Sequence, residues 1–179
     1  MAFDTFPNSL FVIEVEDYNY ESGQFLPEPQ VDFYGNLAGV EGTDFHDTRV
    51  GGQGNNSPYR HDDPVRMAPT LDLTRDKYIA GDIDYDTGDI AAGEWLNYTR
   101  DFAAGSYEVY LRVATVNFDQ AESALELVTS DATQPDQTTR SLGSFLSRLS
   151  GFSYRNTALT DATGNKVIVR LSGQTTLRL

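Results

Sequence analysis

The strongest constraint on the fold of this chain is a period-two alternation of side chains near its centre. One set of alternate positions is apolar: Tyr107, Val109, Leu111 and Val113. The positions between them carry charged or hydroxyl-bearing side chains: Glu108, Tyr110 and Arg112. Alternation over this length is typical of a β-strand with one face buried. The segment therefore predicts a strand that covers one side of a hydrophobic core.

The sequence just before this strand predicts that it belongs to a hairpin spanning Ala91 to Thr115. The four residues Ala103-Ala104-Gly105-Ser106 are expected to form its tight turn, with Gly105 supplying the positive φ. The preceding strand carries the chain's one tryptophan, Trp95. A large aromatic residue in this position is expected to fill the core of a sandwich.

Further β-prone segments are distributed along the chain. A first strand is expected at Ser9–Glu16, and later strands at Ser123–Thr129 and Lys166–Leu171. The segment Ser144–Phe152 is compatible with either one helical turn or an irregular strand, and Gly173-Gln174 predicts a turn. Together these segments predict an all-β fold, an antiparallel β-sandwich with almost no helix. We expect one domain over residues 1–179, with residues 1–8 as a disordered lead-in.

Composition narrows the classes of partner. The 179 residues include 27 Asp and Glu against 13 Lys and Arg, a formal net charge of −14, and no cysteine. Nucleic acid and anionic membrane surfaces need positive charge on the protein, so neither is expected as a partner. Disulfides and thiolate metal sites are excluded. The acidic surface suits a secreted protein in salty surroundings or one that binds cations.

The central segment also resembles a known family. Gly93-Glu94-Trp95-Leu96-Asn97-Tyr98, Gly105-Ser106-Tyr107 and Leu111-Arg112-Val113-Ala114 resemble, in order and spacing, the central hairpin of family 6 carbohydrate-binding modules. The resemblance implies a β-sandwich of the jelly-roll, galactose-binding-like type. It also implies a non-catalytic module that binds polysaccharide or oligosaccharide, is attached to the catalytic domain of a secreted parent enzyme, and works outside the cell.

The same resemblance extends to the acidic start of the chain. Ile13-Glu14-Val15-Glu16-Asp17-Tyr18 is similar to the opening of these modules, where two glutamates help to hold a structural calcium. Calcium prefers several oxygen ligands, and two carboxylates at i and i+2 share one side of a strand. The resemblance therefore implies calcium at Glu14 and Glu16. The alternative is that these acids are simply solvated at a strand edge.

A Gly- and Asp-rich loop, Gly39–Arg66, is similar to a loop in part of the family. Its first group, Asp44, His46 and Asp47, has the side chains of a metal site. Its second group is a candidate sugar-facing cluster: Tyr59, Arg60, His61 and Asp63. The alternative is that these side chains cap turns and anchor the loop through hydrogen bonds. No zinc-type spacing is present to favour the metal interpretation.

The sugar site of the family maps onto two further segments. Phe152, in Gly151-Phe152-Ser153-Tyr154, falls where the family has a tryptophan wall, and Tyr154 is the next aromatic residue. Asp89 falls where the family usually has a stacking aromatic residue, so Tyr85 either compensates or only packs. A core role for Phe152 is the alternative. The resemblance implies a carbohydrate site formed by Phe152, Tyr154, Tyr59, Tyr85 and Asp89.

Two other functions were weighed. Modules of this family continue to a further strand, whereas Leu179 falls on what is predicted to be an interior strand. This favours, as an alternative, a structural or adhesive sandwich whose last strand comes from another chain. A glycosidase would need two carboxyls facing each other across a cleft, and no pair is marked in the sequence. Nucleophile-elbow, zinc-protease and phosphate-loop motifs are missing as well, so no enzyme is expected.

Overall fold

The computed structural model describes residues 11–27, 33–48, 59–70, 72 and 85–179. Within these ranges the chain forms strands and loops and no helix, and no helix that could span a membrane is found there. The strands are β1 (Phe45–His46), β2 (Met67–Pro69), β3 (Tyr85–Thr87), β4 (Trp95–Glu108), β5 (Tyr110–Val113), β6 (Gln120–Val128), β7 (Thr139–Arg148), β8 (Arg155–Ala158) and β9 (Ile168–Arg178). The expected lead-in, residues 1–8, lies outside the described residues.

These strands form one five-stranded sheet and two smaller sheets. The order of the large sheet is β1-β4-β9-β6-β7, and β2 pairs with β3 while β5 pairs with β8. Every ladder is antiparallel. The predicted all-β, antiparallel fold is confirmed, and the arrangement of a large sheet with smaller sheets is consistent with the predicted sandwich. As expected, the strand that leads to Leu179 is interior, because β9 lies between β4 and β6.

The main hydrophobic core collects apolar side chains from the long strands. Its buried members are Phe102, Leu125, Phe145, Leu159, Val169, Leu171 and Leu177. Tyr107, Val109 and Leu111 pack against this core, whereas Glu108 and Tyr110 are exposed. The alternating burial is therefore confirmed, but the segment is not one strand. Strand β4 ends at Glu108 and β5 begins at Tyr110, and the two belong to different sheets. Two smaller clusters, around Tyr18 and around Tyr34, lie under the loops of the first half of the chain.

The predicted hairpin turn at Ala103–Ser106 is wrong. Strand β4 continues through these residues and pairs with β9 on both sides of them. The register shifts there, because Phe102 is opposite Gly173 and Gly105 is opposite Leu171. Two residues on β4 thus oppose one on β9, which is a β-bulge. The positive φ, 64°, belongs to Gly173 and not to Gly105, so the turn expected at Gly173-Gln174 is also part of this bulge.

The predicted first strand is wrong over its described part. Residues 11–19 belong to no strand, and a turn at Val15-Glu16 brings the Asp17 amide to the Glu14 carbonyl at 3.1 Å. Individual hydrogen bonds hold this segment to β4 instead. The Asn19 amide donates to the Asn97 carbonyl at 2.8 Å, and the Tyr98 hydroxyl donates to the Val15 carbonyl. Glu14 and Glu16 therefore do not line a strand edge.

Trp95 does not fill the core, contrary to the expectation from its size. It is half-buried, and the guanidinium of Arg178 lies 3.6 Å from the centre of its ring. Phe102 and Phe145 supply the large rings of the core. The later predictions fared better: β6 confirms the strand expected at Ser123–Thr129, and β7 shows that the segment after Ser144 is strand as far as Arg148.

Candidate functional site

Two loops meet at the end of the molecule where β6 begins and β7 ends. The first, residues 114–119, joins β5 to β6, and the second, residues 149–154, joins β7 to β8. The Leu149 amide donates to the Asp119 carbonyl and the Ser150 amide to the Thr115 carbonyl, both at 2.9 Å. The pair Gln120 and Arg148 starts the β6–β7 ladder directly beside these bonds. The two loops are therefore one hydrogen-bonded unit, which we call the 114–119/149–154 end.

Phe152 lies at the tip of a tight turn in this end. The Ser153 amide donates to the Ser150 carbonyl at 3.2 Å, which closes a turn over Ser150–Ser153. Gly151 has φ of 60°, and Phe152, the next residue, has a negative φ, the pattern of a type II′ turn. The phenylalanine is 68% exposed. The core alternative for Phe152 is thus excluded in this structure, and its ring faces solvent.

Tyr154 fixes the second loop to the two-stranded β2–β3 sheet. Its hydroxyl donates to the carboxylate of Asp86, which lies on β3 opposite Ala68. Burial, and then the Asp86 carboxylate, raise the pKa of the Tyr154 hydroxyl well above its ordinary value. A tyrosine hydroxyl is already protonated at neutral pH, and the raised pKa extends its role as a donor into alkaline pH. Tyr154 is half-buried, so part of its ring stays accessible beside the turn that carries Phe152.

An ion pair braces the same region from the side of β5. The guanidinium of Arg112 donates through Nη2 to Asp72 Oδ1 at 2.7 Å, and Nε donates to the other carboxylate oxygen. Its Nη1 lies 3.4 Å from Asn156 Oδ1 on β8. Asp72 is buried. The β5–β8 sheet is thus tied to the chain segment that follows β2, and the loops beside it have a fixed base.

Tyr59 and Tyr85, two of the predicted sugar contacts, lie in the interior. Their rings stack with centroids 4.9 Å apart at 14°, and both residues are buried. The Tyr59 hydroxyl donates to the carboxylate of Asp17, and burial, then Asp17, raise its pKa far above the ordinary value. The stacked tyrosines anchor β3 to the interior, because Tyr85 is the first residue of that strand. A direct role in sugar binding stays a prediction, and the burial of both rings does not favour it.

Asp89 lies just beyond β3 and is largely exposed. Its backbone has φ of 54°, and its carboxylate pairs with the guanidinium of Arg66. A carboxylate cannot stack on a sugar ring, but it can accept hydrogen bonds from hydroxyls. Tyr154 contacts β3 through Asp86, and Asp89 follows the same strand and pairs with Arg66.

Asp44 and His46, considered above as metal ligands, have anchoring roles instead. Asp44 is fully buried, and its carboxylate accepts the backbone amides of Ser22, Gly23 and Val40 at 2.9, 2.6 and 2.9 Å. Burial raises the pKa of Asp44, while these three amides act in the opposite direction. His46 pairs through Nδ1 with Glu41 at 2.5 Å, away from the Asp44 carboxylate. The hydrogen-bonding alternative is therefore the one that the geometry supports.

The second loop group is split between interior and surface. Arg60 and Asp63 are buried and paired, with Nε 2.9 Å from Oδ2. His61 is exposed beside Asp62. The Arg60 guanidinium also donates to the carbonyls of Tyr18 and Asn19 at 2.6 and 2.9 Å. Arg60 and Asp63 therefore hold the loop in place. Of the four residues in this group, only His61 faces solvent.

The expected calcium ligands, Glu14 and Glu16, lie in one turn of the chain. Glu16 is buried and Glu14 is half-buried, and the Asp17 amide closes this turn on the Glu14 carbonyl. Within the described ranges no group of three or more acidic or histidine side chains could hold a metal ion. Calcium takes six to eight oxygens, about two of which these glutamates would supply, and backbone carbonyls would have to provide others. The donor set is thus a partial fit.

The sequence interpretation missed Phe118 as a surface residue. It lies in the first loop of the 114–119/149–154 end and, like Phe152, is 68% exposed. Val116 and Leu149 extend the apolar surface around it. Residues 114–119 alternate apolar and polar side chains, a pattern that favours burial of Phe118, so the sequence carried no signal for its exposure. Asp86 was missed as well, although alternation along β3 places its side chain on the other face of the strand from the buried Tyr85.

Comparison with known proteins leaves the assignment to the chemistry of this site. No protein-family model matches the chain, and no curated protein matches it. The functional argument therefore depends on the exposed aromatic residues, their fixed loops and the motifs of the central segment.

Proposed function

We propose that the chain is a non-catalytic carbohydrate-binding module of a larger secreted, polysaccharide-active protein. The observation that carries the proposal is the outward ring of Phe152 on a tight turn, next to Tyr154, whose hydroxyl is tied to Asp86. Phe152 is also the residue that the resemblance to family 6 modules places at the sugar-binding wall. Binding residues commonly lie on loops held by a rigid scaffold, and this is such a loop.

The chemistry of this surface suits a sugar. The axial C–H groups of a pyranose pack on an aromatic face, while its equatorial hydroxyls reach polar neighbours. Asn117, Asp119 and Ser153 are exposed polar residues close to the Phe152 turn. Stacking of one ring contributes about 1 kcal/mol by analogy with other aromatic contacts. Hydrogen bonds add modestly because water competes for the same groups.

The charge of the protein limits the class of polysaccharide. With a formal net charge of −14, the surface repels sulfated and uronate-rich polymers unless a cation bridges them. Neutral polysaccharides are therefore the proposed ligands, and nucleic acid and anionic membrane are not. A structural calcium at Glu14 and Glu16 belongs to this proposal, with backbone carbonyls as further ligands.

A glycan array in the presence of calcium tests the proposal. We expect the unmutated protein to bind one or more neutral polysaccharides and Phe152→Ala to lose most of that signal. Incubation with the same polysaccharides should release no reducing sugar, since the module is proposed to be non-catalytic. Failure to bind any glycan, or equal binding by Phe152→Ala, would refute the proposed site.

A further inference from the structure

Phe118 occupies a bulge between two backbone anchors. The Thr115 and Asp119 carbonyls accept the amides of two consecutive residues, Ser150 and Leu149. Thr115 and Asp119 are bonded to adjacent residues of the opposite loop, so the three residues between them, 116–118, loop outward. Phe118 ends this outward loop with its ring in solvent. Its exposure follows from the backbone path.

The base of the bulge is firm. Thr115 is buried, its Oγ1 lies 2.7 Å from Ser147 Oγ, and its amide donates to Ser150 Oγ at 3.2 Å. Ser147 Oγ also donates to the Ala121 carbonyl on β6. The bulge that carries Phe118 and the turn that carries Phe152 therefore share one hydrogen-bonded base, and their relative position is fixed by it.

The two phenylalanines are close enough to act on one ligand but do not stack on each other. The path from Phe118 through Asp119, Leu149 and the tight turn keeps the two Cα atoms within about 20 Å. No aromatic pair among the described residues includes either ring. Neither ring is therefore covered by another aromatic ring of the described residues, and the separation suits an extended ligand a few sugar units long.

We propose that Phe118 is a second sugar-stacking residue, so that the module binds internal segments of a neutral polysaccharide chain across Phe118 and Phe152. This inference rests on the proposed function. Val116 and Leu149 supply apolar surface beside the two rings, and the exposed Asn117, Asp119 and Arg148 supply hydrogen-bonding groups at the rim.

Charge decides between the occupants of this surface. A second copy would carry the same formal net charge of −14, and two molecules with like net charge repel each other. Acidic polymers are opposed for the same reason. A neutral glycan carries no such penalty, and its alternation of C–H faces and hydroxyls matches rings with a polar rim. The surface is therefore assigned to neutral glycan chains.

Calorimetry with oligosaccharides of increasing length tests the assignment. The probes are β-1,4-xylan, β-1,4-glucan and β-1,3-glucan fragments from disaccharide to hexasaccharide. We expect affinity to rise with length for the unmutated protein. Phe118→Ala should weaken hexasaccharide binding about fivefold, the equivalent of one stacking contact, and leave disaccharide binding unchanged. Phe152→Ala should weaken both, and Phe33→Ala, an exposed ring on another loop, should change neither.

The outcomes separate this inference from the function beneath it. If Phe118→Ala binds every length like the unmutated protein, the second stacking residue is refuted while the sugar function stands. If the unmutated protein binds none of the probes, both are refuted. If the unmutated protein dimerises and Phe118→Ala abolishes the dimer, the surface is an interface between copies and the inference is refuted. An unchanged melting temperature for Phe118→Ala confirms that the variant is folded.

Discussion

Replacing Arg60 by methionine should be one of the most destabilising single changes in the chain. The side chains of Arg60 and Asp63 are 0% and 2% exposed. Methionine would leave the Asp63 carboxylate buried, with the Tyr18 hydroxyl at 2.5 Å and the Gly39 amide at 2.9 Å as its remaining donors. Removing one partner of a buried ion pair costs about 3–5 kcal/mol, because the other charge is left uncompensated. The stacking of the guanidinium on Tyr18, 3.6 Å from the ring centre, is lost as well.

Urea unfolding followed by fluorescence of the single tryptophan measures this cost. A domain of ordinary stability has about 5–15 kcal/mol in total, so the midpoint should fall by a large fraction while the slope stays constant. The chain supplies a matched control. Arg66 and Asp89 form an ion pair whose side chains are 47% and 59% exposed, and Arg66→Met should cost at most about 1 kcal/mol.

A double variant separates the pair from the packing around it. Arg60→Met with Asp63→Leu removes both charges, so it should be less destabilised than Arg60→Met alone, since no uncompensated charge remains. Equal costs for Arg60→Met and Arg66→Met would refute the reasoning. Such a result would mean that the Gly39–Arg66 loop is not held by its buried ion pair and that Arg60 is free to serve another role.

Three further predictions address the backbone, the buried tyrosines and the metal. Gly143→Ala should destabilise by about 2 kcal/mol or more, because an added Cβ would lie 2.6 Å from the Thr160 carbonyl, whereas Gly105→Ala should stay within about 0.5 kcal/mol in the same urea assay. Burial raises the pKa of five described tyrosines, among them the buried Tyr18, Tyr59 and Tyr98. At these three the native state keeps protons that the unfolded state loses near pH 10, so stability should be complete below that pH and fall above it by about 1.4 kcal/mol per pH unit for each. Their tyrosinate absorbance should appear only with unfolding. Calcium at 100 times its Kd should stabilise the protein by about 2.7 kcal/mol. Chelator should therefore lower the melting temperature of the unmutated protein and of the surface variant Glu122→Ala, and should leave that of Glu16→Ala unchanged.

Contrary results are equally defined for these three. A strong destabilisation by Gly105→Ala would favour a tight turn at Ala103–Ser106 over the β-bulge. Gradual ionisation of all ten tyrosines near pH 10 would contradict the buried hydroxyls. A melting temperature that chelator leaves unchanged in the unmutated protein would remove calcium from the proposal.

Local sequence patterns predicted the strands that bury only one of their two faces. Val109 and Leu111 alternate with exposed residues because they cover one side of the core, and this is visible without knowing the partner strand. The bulge could not be predicted in the same way. Gly105 and Gly173 carry signals that suit a turn or a bulge equally, and the choice depends on the pairing of β4 with β9, which are far apart in the chain.

The candidate site was harder to predict because long-range contacts set its geometry. Tyr154 was identified as an aromatic residue near Phe152, but its bond to Asp86 joins residues 68 positions apart. The burial of Tyr59 likewise depends on Tyr85 and Asp17, from different segments. Phe118 owes its exposure to a bulge fixed by two backbone hydrogen bonds. A one-dimensional pattern contains none of these relations.

The most direct test of the central claim is titration calorimetry of the unmutated protein, in calcium, with the neutral polysaccharide that gives the strongest array signal. Sugar binding through an exposed phenylalanine predicts a dissociation constant on the order of a millimolar to tens of micromolar. It also predicts at least about a fivefold loss for Phe152→Ala and no loss for the equally simple surface change Phe33→Ala. The absence of binding heat, or an isotherm for Phe152→Ala that superimposes on that of the unmutated protein, would contradict the claim.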